Sequence, residues 1–85
     1  MENPIRKYIN TTGLPAQKFA IAIGVNGAMV YHYLRGIPAN MSPKFAWKLT
    51  KLGIDPGEAM MEYSRWRKEE AQKVIEEVKP TMMEI

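Results

Sequence analysis

Apolar positions along the chain recur at helical spacing in five short stretches, separated by breaks that carry glycine or proline. Ile5, Tyr8 and Ile9 form the first stripe, on a helix over 3–11 with Asn3 as its cap and Pro4 at its first position; Thr11-Thr12-Gly13 ends it. Pro15 then opens a second helix over 15–23, supplying a fixed φ but no polar cap, with Phe19, Ala20 and Ile23 on its inner face. Val30, Tyr33 and Leu34 mark a third helix over 27–35. Between these two lies Gly24-Val25-Asn26. Gly24 stands where a sharp turn needs positive φ, and Asn26 where a side chain can accept the free N–H groups of the next helix. Ala20 is small enough to let two steeply crossed helices touch, and Val25 and Val30 plug the corner from the other side.

Gly36-Ile37-Pro38-Ala39-Asn40 reads as a loop, and Ser42-Pro43 as the cap and first turn of a fourth helix ending at Gly53. Its inner stripe is Phe45, Leu49 and Leu52. Trp47 lies about 200° round from Phe45 and so on the outer face, where it needs cover from the C-terminal segment or from a second chain. Asp55-Pro56-Gly57-Glu58 is a capping box opening a fifth helix, expected to continue to Val78 and to stop at Lys79-Pro80. Met60, Tyr63, Ala71, Val74 and Val78 form one stripe, with Ile75 at its edge and charged residues opposite. Arg65–Glu69 and Glu69–Lys73 are spaced as i, i+4 ion pairs. Such a helix, about 34 Å long, exceeds what a small bundle can cover, so its far end is expected to project and meet a partner. Met60 and Met61 read as packing residues, as do Tyr63, Trp66 and Arg67 at helical spacing, and 81–85 as a tail that tucks or frays. The pattern implies an all-α fold: a four-helix core over 1–54 and a long amphipathic helix over 55–85.

Charge sharpens this division. Up to Ile54 seven basic residues face the single acid Glu2, a net +6; from Asp55 onward five basic residues face eight acidic ones, a net −3. The half carrying the two crossed helices is the polycation, as a surface that meets phosphates should be. The chain has no cysteine, which excludes disulfide and zinc–thiolate staples and fits a reducing compartment. No apolar run approaches the ~20 residues of a membrane span and no basic-then-apolar leader opens the chain, so a soluble cytoplasmic protein with no membrane partner is expected.

The spacing Ala20, Gly24, Val30, Gly36 resembles the helix-turn-helix of the phage Cro and repressor family, and the likeness covers roughly residues 3–55. The resemblance implies a lambda-repressor-like four-helix core whose third helix enters the major groove of double-stranded DNA. Its base-facing positions would be Asn26, Gly27, Ala28, Tyr31, His32 and Arg35. Gln17, Lys18, Lys44 and Lys48 would meet phosphates, the second helix offering its N–H groups as well. A homodimer on a (pseudo)palindromic operator follows, with Trp47, Met60, Tyr63, Arg67, Val74 and Val78 as its interface and Arg67 paired to a carboxylate across it. The implied function is that of a bacterial or phage-encoded transcriptional regulator, a repressor, located on the nucleoid when bound.

One departure matters. The strong base readers are arginine for guanine and asparagine or glutamine for adenine, and this face offers only Asn26 and the distal Arg35. Readout would lean on shape and on thymine methyls meeting the small Gly27 and Ala28. The apolar Gly27, Ala28, Met29 and Tyr31 also suit a regulatory protein partner, so an adaptor or antirepressor is the competing reading. His32 is the sole histidine and reads as a solvent- or phosphate-facing residue, and Asn26 serves equally well purely as a cap. With no Ser/His/Asp set, no phosphate loop and no metal-ligand cluster, neither an enzyme nor a cofactor is expected.

Overall fold

The computed structural model describes residues 1–83, with side chains through Lys79; Glu84 and Ile85, and the side chains of the expected tail, lie outside the described residues. It comprises α1 (Pro4–Thr12), α2 (Ala16–Ile23), α3 (Gly27–Leu34), α4 (Pro43–Lys48) continued by a 3₁₀ turn (Leu49–Leu52), and α5 (Pro56–Met83). Their starts are locally encoded. The Asn3 carboxamide oxygen accepts from the Ile5 and Arg6 N–H groups, Asn26 from Met29, Ser42 from Phe45, and Asp55 from Glu58. Only α2, opened by Pro15, has no side-chain cap. Gly24 ends α2 at φ +80°, in the left-handed region, and the Val25 N–H returns to the Ala20 carbonyl to close the corner.

The inner faces of all five helices meet in one core. Ile5 and Ile9 of α1, Phe19, Ala20 and Ile23 of α2, and Val30 and Tyr33 of α3 are buried together with Phe45, Ala46 and Leu49. α5 closes the core with Ala59, Tyr63 and Trp66. A run of aromatic rings ties α4, α3 and α5 together: Phe45 to Tyr33 at 4.2 Å, Tyr33 to Tyr63 at 5.2 Å, and Tyr63 to Trp66 at 5.7 Å between centroids. Offset and edge contacts of this kind add about 0.5–1.5 kcal/mol each beyond the area they bury. No buried polar side-chain atom is left without a partner among the described residues.

α5 departs from expectation in three ways. Its inner face is Ala59, Tyr63 and Trp66, not the stripe through Met60, Val74 and Val78, a rotation of about 80° round the helix axis. Bulk decides this, because Trp66 buries more apolar surface than Met60 or Arg67 could. Tyr63 belongs to the chain's own core, with 0% of its surface exposed, which corrects its placement in a partner interface. The helix also passes through Pro80 to Met83 instead of stopping at Lys79. Proline's φ is already helical; the forgone hydrogen bond is the one to the Glu76 carbonyl, on an exposed stretch where water can serve it. Finally, Glu69 pairs with the N-terminal ammonium at 3.7 Å and Lys73 with Glu70 at 3.2 Å, in place of the two i, i+4 pairs. The 28-residue helix, about 42 Å long, outruns the core and stretches the molecule to 50 × 23 × 20 Å.

Candidate nucleic-acid interface

α3 turns Val30 and Tyr33 inward, so Ala28, Tyr31, His32 and Arg35, spaced i, i+3, i+4, i+7, are left together on the opposite face. All four are exposed, as is Asn26 at the start, while Gly27 is half-buried. Four of the six residues expected to face bases therefore share one side of α3, with Asn26 capping its start and Gly27 half-buried in its first turn. Asn26 is spoken for in part: its side-chain oxygen accepts from the Met29 N–H at 2.9 Å, leaving the amide nitrogen free to donate.

The neighbouring elements bring the cations. Gln17 and Lys18 are exposed in the first turn of α2, where the backbone N–H groups have no side-chain cap. Lys44 is exposed in the first turn of α4, and Met29, Ser42, Lys44, Phe45 and Lys48 line a shallow groove between α3 and α4. Neither Lys18 nor Lys44 forms an ion pair among the described residues. Lys48 is placed differently from expectation. It is half-buried, and its ammonium donates to the Gly24 carbonyl at 3.2 Å, while Lys51 reaches the Ile23 carbonyl at 3.4 Å. Both sit on the C-terminal end of α2, where unpaired carbonyls and the negative end of the helix dipole attract cations. They pin the corner that aims α3.

The rear of α3 is held by side chains that sequence reasoning had given other work. The Asn3 amide nitrogen donates to the Tyr33 and Leu34 carbonyls at 3.0 and 3.2 Å, so one residue serves the start of α1 and the end of α3. Arg67 Nε donates to the Gly36 carbonyl at 2.6 Å, which corrects its assignment to a carboxylate across an interface. Trp66 lies so close to Gly36 that a Cβ there would stand 2.9 Å from its ring. The Tyr63 hydroxyl donates to the Pro38 carbonyl at 2.6 Å and Tyr33 accepts from the Ser42 N–H at 3.0 Å, fixing the loop that leads from α3 to α4. No local pattern marks these contacts, because their partners lie 9 to 31 residues away.

No family model, curated protein or solved structure matches the chain. The remaining expected interface residues divide. Met60 is half-buried against the core, whereas Val74 and Val78 are 56% and 51% exposed on the far half of α5. Trp47 is 68% exposed, on the side of α4 opposite the buried Phe45 and Leu49. Trp47 and the Val74–Val78 stripe are thus exposed on different helices. Among the described residues no group of three or more His, Asp or Glu side chains is arranged to hold a metal ion, and no helix is long and apolar enough to cross a membrane.

Proposed function

We propose that the chain is a sequence-specific, double-stranded-DNA-binding transcriptional regulator with a phage Cro/repressor-like helix-turn-helix fold, acting as a homodimeric repressor. The observation that carries this reading is the exposed face Ala28, Tyr31, His32 and Arg35 of α3, accompanied by exposed Lys18 on α2 and Lys44 on α4, neither in an ion pair among the described residues. Between Asn3 and Ile54 the chain carries no carboxylate, and the acid that comes to the end of this face is Glu70 of α5, in a groove it lines with Arg35. In the groove, Ala28 would meet thymine methyls, Arg35 would reach a guanine or a phosphate, and the uncapped start of α2 would receive a phosphate oxygen. The exposed Val74, Ile75 and Val78 on the projecting part of α5 support a second copy there. Two copies would present two α3 helices to half-sites about 34 Å apart.

A mobility shift with random genomic fragments at low and moderate salt tests the reading. Binding should fall steeply with salt, because each neutralised phosphate releases counterions. Ala28→Glu should abolish it, with a thermal midpoint within a few degrees of wild type, since position 28 is exposed. The competing reading, a protein-binding adaptor or antirepressor, draws support from the exposed Met29 and Tyr31. It expects no duplex binding and an interaction that barely responds to salt.

A further inference from the structure

Trp47 is the largest side chain in the molecule without a partner. Its neighbours in the aromatic run are all paired, and Trp66, the other tryptophan, is 7% exposed, yet the Trp47 ring stacks on no aromatic ring and lies under no cation among the described residues. Thr50 donates to its backbone carbonyl at 2.6 Å; its indole N–H donates to nothing among the described residues. What surrounds it is positive. Lys44 stands one turn before it and Lys51 one turn after it, both exposed on the same side of the α4 segment, and Lys48 follows it directly. Lys44 also lines, with Met29 and Lys48, the groove between α4 and α3, so the turn of α4 that precedes Trp47 adjoins α3.

From this placement we infer that Trp47 lies against the sugar–phosphate backbone flanking the groove that α3 enters, its indole N–H donating to a phosphate oxygen and its ring covering a deoxyribose. The inference rests on the DNA-binding reading above. Charge selects this occupant. A polyanion complements the exposed Lys44 beside Trp47, which forms no ion pair among the described residues, with the charges of Lys48 and Lys51 behind it on the α2 carbonyls. The exposed stripe of α5, which suits a second copy, lies on a different helix and carries acids among its neighbours. Indole supplies what such a rim needs: one donor for the phosphate and a flat apolar face for the sugar, without a charge.

The missing charge gives the test its signature. Removing Lys44 should flatten the dependence of log affinity on log salt by about one unit, because one phosphate neutralisation is lost. Removing Trp47 should weaken binding about three- to tenfold, as loss of a hydrogen bond does, and leave the slope unchanged. We would titrate a labelled short mixed-sequence duplex with wild type, Trp47→Ala, Trp47→Phe and Lys44→Ala across a salt series, and follow acrylamide quenching of tryptophan emission with and without duplex. Trp47→Phe, which keeps a ring and leaves Trp66 as the sole tryptophan, checks that the fold and the core signal persist. The expected result is a duplex-protected Trp47, a weaker Trp47→Ala at unchanged slope, and an intermediate Trp47→Phe. Equal affinity of wild type and Trp47→Ala, with Trp47 still quenched in the complex, would overturn the inference and leave the DNA reading standing. Protection that grows with protein concentration in the absence of duplex would assign the face to a second copy and overturn it as well. Failure of wild type to bind any duplex at low salt would remove both.

Discussion

α5 has two halves with opposite surroundings. From Ala59 to Ala71 it lies along the core, burying Ala59, Tyr63 and Trp66 and reaching back through Arg67 to the end of α3. From Gln72 to Lys79 every residue is exposed, Val74, Ile75 and Val78 included. The near half is held by tertiary contacts. The far half relies on its own hydrogen bonds and the Lys73–Glu70 pair; Val74 and Ile75 line a groove with Arg35 and Gly36 yet stay exposed, and a free helix of about a dozen residues is marginal in water. An apolar stripe at helical spacing therefore does not say what it packs against. In one half the bulkiest side chains settle the inner face; in the other Val74, Ile75 and Val78 stay exposed.

The comparison breaks most sharply at Tyr63. Replacing it by alanine removes the ring that links α3 to α5 and should cost about 3–5 kcal/mol. Small domains have about 5–15 kcal/mol in all, so thermal and denaturant unfolding should show the near half to be indispensable. Val74→Glu combined with Val78→Glu should leave the unfolding of each chain nearly untouched and act on assembly instead. An unpaired carboxylate is costly only where it becomes buried. Sedimentation should then give a folded monomer with much weaker duplex binding; a wild type that is itself monomeric at tens of micromolar would end the dimer reading. Gly36→Ala should have a smaller effect. The residue sits at φ +72° against Trp66, so a methyl group must strain the backbone, by about 1–2 kcal/mol, and displace the ring. Its midpoint should fall while α1 to α4 keep their helicity by circular dichroism. The last test concerns pH. Burial, only partly offset by the neighbouring Arg67, pushes the Tyr63 hydroxyl from 10.0 up to about 12, so the folded chain holds a proton that the unfolded chain has lost. The resulting stability is complete below pH 10 and drains away as the pH rises toward 12, and Tyr63→Phe should remove that alkaline loss.

Much of the fold was legible in the chain because its signals are local. Asn3, Asn26, Ser42 and Asp55 cap helices through atoms two or three residues away, and Gly24 and Gly53 end segments by adopting positive φ. Such choices depend on backbone geometry within one turn, so the sequence alone located every helix start and the α2–α3 corner. It also determined the face of α3 that stays outside, since Val30 and Tyr33 leave Ala28, Tyr31, His32 and Arg35 opposite them.

Tertiary structure decided everything that depends on a distant partner. Only the packed chain shows that Asn3 also serves the end of α3, that Arg67 turns to Gly36, and that Lys48 and Lys51 hold the end of α2. It set which of two overlapping stripes on α5 becomes core, because the choice rests on how Trp66 fits over a residue without a side chain, thirty positions earlier. It also left Trp47, Val74 and Val78 exposed while drawing Tyr63, grouped with them as an expected interface, into the chain's own core. Helical spacing records a direction around one axis; whether two directions on different helices coincide is fixed only when the axes are crossed and packed.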